Sequence, residues 1–325
     1  MKQIRLGCSD LQVSTLCLGT MNFGWKEPEN VSIERMEQYV AAGGNFIDTA
    51  NVYSQREAPG KDFYGKDFPQ YRDGTSERLI GKWVKEKGNR DELVIATKVG
   101  FAYPGIQIGT SPRQIKEECE KSLKRLQTDY IDLMYLHMDD RQTPLEDSLG
   151  TLTSLVQEGK VRHIGVSNFA TWRLAKAVEV ANRNNFAPIC CLQQRHSYLR
   201  PQLGWDFGRQ VAANEELFDF LRHNDITVLA YSPLLKGYYN NREKGLPAPY
   251  QWLDSEARMQ VLEEIKKETG ATGAQIVYRW MLNSTPMVIP IVAASTSTQF
   301  DEAIDALSLN LTEDQMDRLN NTTAK

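Results

Sequence analysis

Four ionisable side chains stand where strand-like runs end. Asp48 and Tyr53 fall in Asn45-Phe46-Ile47-Asp48-Thr49-Ala50-Asn51-Val52-Tyr53, Lys98 closes Leu93-Val94-Ile95-Ala96-Thr97-Lys98, and His137 closes Ile131-Asp132-Leu133-Met134-Tyr135-Leu136-His137. Together they form a proton-transfer set. A phenol with a pKa of about 10 donates poorly at neutral pH unless a cation stabilises its phenolate, and Lys98 is the candidate cation. A lysine so placed loses water and needs a carboxylate such as Asp48 to hold it charged and oriented. His137 is then available to hydrogen-bond a substrate oxygen. Each residue alone has a plainer account: Asp48 capping a turn, Lys98 a strand-end surface lysine, His137 a hydrogen-bonded rim histidine. Four compatible residues at three consecutive strand ends favour the joint reading.

The elements that must position them alternate along the chain. Short apolar runs at Leu16–Thr20, Phe46–Thr49, Leu93–Lys98, Ile131–His137, Val161–Val166, Ile189–Gln193, Thr227–Ala230 and Val288–Pro290 read as strands. Helical periodicity falls between and after them, at Ser32–Ala42, Ser76–Lys87, Ser111–Leu126, Leu145–Gln157, Thr171–Ala181, Glu215–Leu221, Glu256–Lys267 and Thr298–Leu307. Eight strand–helix units predict an α/β fold closed into a (β/α)8 TIM barrel, in which strand carboxyl ends converge on one face. No G-x-G-x-x-G follows the first strand, which weighs against a Rossmann domain. Alternation around Leu6-Gly7-Cys8-Ser9-Asp10-Leu11 predicts an N-terminal β-hairpin capping the barrel bottom. No linker interrupts residues 1–325, so one domain is expected.

Composition narrows the function classes. A formal net charge of −4 with 25% charged residues of both signs argues against a nucleic-acid partner. No apolar run is long enough to span a bilayer, and Met1-Lys2-Gln3-Ile4-Arg5 lacks the apolar stretch of a signal peptide, so a soluble cytoplasmic protein is expected. Cys8, Cys17, Cys119, Cys190 and Cys191 show no C-x-x-C spacing and read as reduced structural thiols. A metal hydrolase is the rival reading, with His137-Met138-Asp139-Asp140 and Asp48 as ligands. The strand lysine opposes it, no H-x-H pair exists, and His163, His196 and His223 sit at unrelated positions, so no metal site is expected.

The motifs F-I-D-T-A-x-x-Y, A-T-K and Y-L-H resemble the catalytic segments of the aldo-keto reductases, and the resemblance runs over nearly the whole chain. It implies an NAD(P)H-dependent oxidoreductase interconverting a small-molecule carbonyl (aldehyde, ketone or keto-sugar) and an alcohol, with Tyr53 exchanging the proton. The alternative is a non-catalytic nicotinamide-binding barrel acting as a regulatory or partner subunit. Gly165-Val166-Ser167-Asn168-Phe169 resembles the family segment whose serine and asparagine hold the nicotinamide carboxamide, which implies Ser167 and Asn168 as contacts, with Gln193 as the third. Tyr231 in Ala230-Tyr231-Ser232-Pro233-Leu234 matches the aromatic that stacks on the nicotinamide, and Gly19, Thr20 and Met21 join the cofactor side by the same resemblance. S-N and Y-S-P also occur as a helix cap and a turn.

Ser232, Leu234 and Lys236 in the loop to Gly237 suit a pyrophosphate. Val288 to Thr296 resembles the adenosine-phosphate segment, giving Ser295, Gln299 and Glu302 as contacts, but Ala293 replaces the usual glycine and Ala303 the usual asparagine. Family members preferring the phosphorylated cofactor commonly carry Arg or Lys here, whereas this chain has Ser295, Thr296, Ser297 and Thr298. NADP(H) is favoured by family habit and NAD(H) stays open. Asn22, Phe23, Trp25 and Phe101 are expected to line the substrate mouth. The long segments Ser54 to Asp73 and Ser197 to Glu215 read either as substrate lids or as solvated loops.

Overall fold

In the computed structural model, which describes residues 1–53, 74–103 and 105–322, the chain opens with a hairpin of β1 (Gln3–Arg5) and antiparallel β2 (Gln12–Ser14). Eight parallel strands follow: β3 (Cys17–Gly19), β4 (Phe46–Asp48), β5 (Val94–Val99), β6 (Ile131–Leu136), β7 (Val161–Ser167), β8 (Ile189–Arg195), β9 (Thr227–Tyr231) and β10 (Val288–Val292). They pair in sequence order, and β10 returns to β3 to close the barrel. The expected (β/α)8 architecture is therefore the observed one.

Leu6, Leu11 and Val13 of the hairpin region pack in one buried cluster with Cys17, Phe46, Val94, Leu133, Cys191, Leu229 and Ile289 of the barrel interior, so the hairpin closes the bottom of the barrel. Period-two alternation turns the next inward residues of the same strands towards the open end. A larger apolar cluster lies between the strands and the outer helices.

The ring of helices comprises α1 (Glu29–Ala41), α2 (Thr75–Lys87), α3 (Pro112–Leu126), α4 (Leu145–Gln157), α5 (Thr171–Arg183), α6 (Glu215–Arg222), α7 (Ser255–Thr269), α8 (Gly273–Asn283), α9 (Ser297–Asp305) and α10 (Glu313–Asn321). Here the structure corrects the sequence reading. The helix that packs on β10 and α9 is α8, whereas the segment read as the seventh ring helix is α7, which packs on α8 and α10. Both unforeseen helices begin with capping boxes, Thr272 with Gln275 and Thr312 with Gln315, a pattern legible as T-x-x-Q. No helix among the described residues is long and apolar enough to cross a membrane. Segment 54–73, and with it the first of the two lid expectations, lies outside the described residues.

Candidate active site

Register brings the strand-end residues together. Asp48 ends β4 opposite Ala96 of β5, and Lys98 lies two residues beyond on the same inward face. Lys98 Nζ donates to Asp48 Oδ1 at 2.5 Å, to the Thr49 carbonyl at 2.7 Å and to Tyr53 Oη at 3.1 Å. The ammonium also lies 4.6 Å from the Tyr53 ring centroid. Gln193 Nε2 donates to Asp48 Oδ2 at 2.7 Å, so both carboxylate oxygens are engaged. His137 continues β6, its backbone N–H bonded to the Val99 carbonyl at 2.8 Å. Its ring meets Phe101 edge-on at 4.6 Å and Tyr53 at 5.9 Å between centroids.

Burial and charge set the protonation states. Burial lowers Lys98, but Asp48 and Tyr53 outweigh it and the net shift is upward, keeping the ammonium charged. Burial raises Asp48 more than Lys98 and Gln193 lower it. Burial likewise raises the Tyr53 phenol, with Lys98 acting against it and Asp48 reinforcing it. His137 is pushed well below the ordinary histidine range by burial and then by the Lys98 charge, so its imidazole is neutral at pH 7. Its Nδ1 is shielded and has no partner among the described residues.

The loop carrying Tyr53 is fixed from outside the barrel. Asn51 donates its backbone N–H to the Lys98 carbonyl at 3.2 Å and its side-chain Nδ2 to Glu118 Oε2 at 2.7 Å. The same oxygen accepts from Tyr103 Oη at 2.6 Å. Glu118 on α3 therefore ties the loop after β4 to the loop after β5.

A second group forms at β7, β8 and β9. Asn168 adopts a left-handed backbone at φ 60°, a conformation asparagine tolerates better than most residues. Its Nδ2 donates to the His137 carbonyl and to Ser167 Oγ, both at 3.0 Å. Its Oδ1 accepts from Tyr231 Oη at 2.7 Å and from Val211 N–H at 3.3 Å. Ser167 Oγ, having accepted from Asn168, still has its own proton to give. Ser167 and Gln193, paired across the β7–β8 ladder, both carry groups of the kind a carboxamide requires.

The remaining predicted residues are more scattered. Gly19 pairs with Asp48 across the ladder, and Thr20 Oγ1 donates to the Asp48 carbonyl at 2.9 Å. Met21 is exposed, and Asn22 and Trp25 are half-buried. Phe23 is 1% exposed and packs in the outer apolar core. Ser232 and Lys236 are exposed and Leu234 is half-buried, on a turn with Ser232, Leu235 and Lys236 at positive φ. Ser295 and Gln299 are exposed, and the Gln299 Oε1 accepts the Ser295 N–H at 2.9 Å. Glu302 accepts from Asn240 Nδ2 at 2.7 Å. Ala303 is buried in the outer core.

The acidic residues of the rival metal reading point elsewhere. Asp139 accepts from Arg173 at 2.8 Å and Arg141 at 3.1 Å, and Asp140 accepts the Thr110 and Gln142 backbone N–H groups at 2.9 and 3.0 Å. Sequence reasoning missed Glu118 and Arg195. Arg195 follows Gln193 by two residues on β8, and that spacing was the signal that it faces the same way.

The family model of the aldo/keto reductase family matches residues 15–323. The chain belongs to the aldo/keto reductase family. It is 32% identical to the uncharacterized oxidoreductase YrpG of Bacillus subtilis strain 168, over 98% of this chain and 95% of that protein. It is 30% identical to the norsolorinic acid reductase stcV of Emericella nidulans, over 96% and 79% of the two chains. A crystal structure of the thermostable aldo-keto reductase Tm1743, in complex with the inhibitor epalrestat, superposes with a TM-score of 0.74 at 28% identity, covering 98% of this chain and 99% of that one. This aldo-keto reductase is thus an NAD(P)H-dependent oxidoreductase acting on the carbonyl/alcohol couple of small molecules.

Proposed function

We propose that Tyr53 is the proton donor and acceptor for carbonyl–alcohol interconversion in this barrel. The observation that carries the reading is Lys98 Nζ, which contacts Asp48, the Thr49 carbonyl and Tyr53 Oη at once. Tyr53 gives its proton to the substrate oxygen as the alcohol forms, and Lys98 stabilises the phenolate left behind. Asp48 and Gln193 hold Lys98 in position, and neutral His137 orients the carbonyl. The bound nicotinamide supplies the hydride.

Ser167 and Gln193 bind the carboxamide on this reading; Asn168, its own amide spent on His137, Ser167, Tyr231 and Val211, holds them in place rather than touching it, Tyr231 forms the ring platform, and the turn at Ser232, Leu234 and Lys236 takes the pyrophosphate. Ser295, Gln299 and Glu302 serve the adenosine end, where NADP(H) is favoured over NAD(H). Phe101, packed on His137, favours a substrate with an aromatic or other flat apolar flank. Titration of nicotinamide fluorescence with NADPH and then NADH tests the cofactor reading, with tighter NADPH binding expected. Tyr53→Phe should lower turnover by roughly 10²- to 10⁴-fold while leaving the NADPH dissociation constant unchanged. Undiminished turnover would remove Tyr53 from its role, and wild-type protein that binds NADPH but turns over no carbonyl would favour the partner-subunit reading.

A further inference from the structure

Arg195 brings a positive charge to the upper ring of the barrel mouth. It pairs across the ladder with Tyr231, and its guanidinium lies over the Tyr231 ring at 5.4 Å and over the Phe207 ring at 4.8 Å. Its Nη2 donates to Gln210 Oε1, while its Nε is shielded from solvent without an acceptor. Among the described residues no carboxylate pairs with it. By contrast Arg141, in the loop after β6, and Arg173, on α5, both pair with the Asp139 carboxylate. The charge of Arg195 is therefore uncompensated, and it sits against the aromatic that forms the nicotinamide platform on the reading above, upon which this inference rests.

We propose that Arg195 makes the site discriminate between redox states of its cofactor, favouring the neutral reduced nicotinamide over the cationic oxidised one. Reduced and oxidised cofactor carry the same phosphates and differ by one positive charge on the ring. A ring stacked on Tyr231 lies roughly 8–10 Å from the guanidinium, where like charges at an effective dielectric of about 20 repel enough to weaken binding of the oxidised form on the order of tenfold. The arginine thereby selects the reductant from a mixed pool and speeds release of the spent cofactor.

Quenching of intrinsic fluorescence by NADPH and by NADP⁺, on the full chain, tests this in the wild type, Arg195→Lys, Arg195→Gln and the outlying control Arg141→Gln. The expected wild-type ratio of dissociation constants, NADP⁺ over NADPH, is about ten or more. Arg195→Lys and Arg141→Gln should keep that ratio, and Arg195→Gln should bring it towards one, mainly by tightening NADP⁺. Equal wild-type affinities overturn the proposal whether or not the variants fold. So do Lys and Gln variants that weaken both ligands alike, since that is the mark of a merely structural arginine. Wild-type protein that binds neither of these ligands, nor NADH or NAD⁺, overturns the nicotinamide reading itself, and this inference with it.

Discussion

The two ends of the candidate cofactor track are built in different ways. At β4–β5 the central pair is buried, charge-paired and saturated: Lys98 and Asp48 are at most 1% exposed, and Lys98 Nζ has three oxygen partners. At β9–β10 the expected contacts are exposed hydroxyls and amides that satisfy one another across the surface, as Gln299 does for Ser295 and Asn240 for Glu302. A buried charge without its partner is costly, so the first end tolerates little change. An exposed amide returns to water when its partner is lost, so the second end is free to vary.

The sharpest break of that contrast is Lys98→Met, which leaves Asp48 buried without its cation. We expect a loss of about 3–5 kcal/mol of stability in urea denaturation, together with loss of turnover. Adding Asp48→Asn to that variant should restore part of the stability and none of the turnover. The next largest effect is on pH. His137 is neutral in the folded protein because its pKa is depressed, so below about pH 6.5 the unfolded chain binds a proton that the folded one refuses. Stability should therefore fall as pH drops through that value, by at most about 1.4 kcal/mol per pH unit for this group. Melting curves of wild type and His137→Gln across pH 5–8 read the difference, and identical profiles would remove His137 as a buried neutral group.

The weaker end answers to gain of charge better than to loss. Ser295→Arg should improve NADPH affinity relative to NADH by up to about tenfold by pairing with the 2′-phosphate, read by fluorescence titration. No change would move the adenosine site away from this segment. The smallest effect is expected for Asn240→Ala, which frees Glu302 at the surface and should cost less than about 1 kcal/mol in thermal denaturation.

The same contrast explains what was legible beforehand. Asp48, Tyr53, Lys98 and His137 stood out because ionisable groups at the ends of apolar strands need a reason to be there. Ser295 and Thr298 carried no comparable signal, since a hydroxyl suits a helix cap, a phosphate or water equally well. The burial of Phe23 in the outer core was not legible, because an aromatic near a strand end serves the core or the mouth alike. The helix pattern at Glu256–Lys267 was real, but amphipathicity reports that a face is buried and not which layer buries it. Glu118 was invisible for another reason: its partners Asn51 and Tyr103 lie on other elements, and only the closed barrel brings the three together.

The hairpin beneath the barrel has a kinetic consequence. With Leu6, Leu11 and Val13 stoppering the lower end, both reactants reach Tyr53 and His137 from the opposite rim. On the proposed reading the nicotinamide lies deepest, against Ser167 and Gln193, with the carbonyl compound above it. The two then queue: the nucleotide enters first and leaves last, and a carbonyl compound that arrives early finds only half of its binding floor.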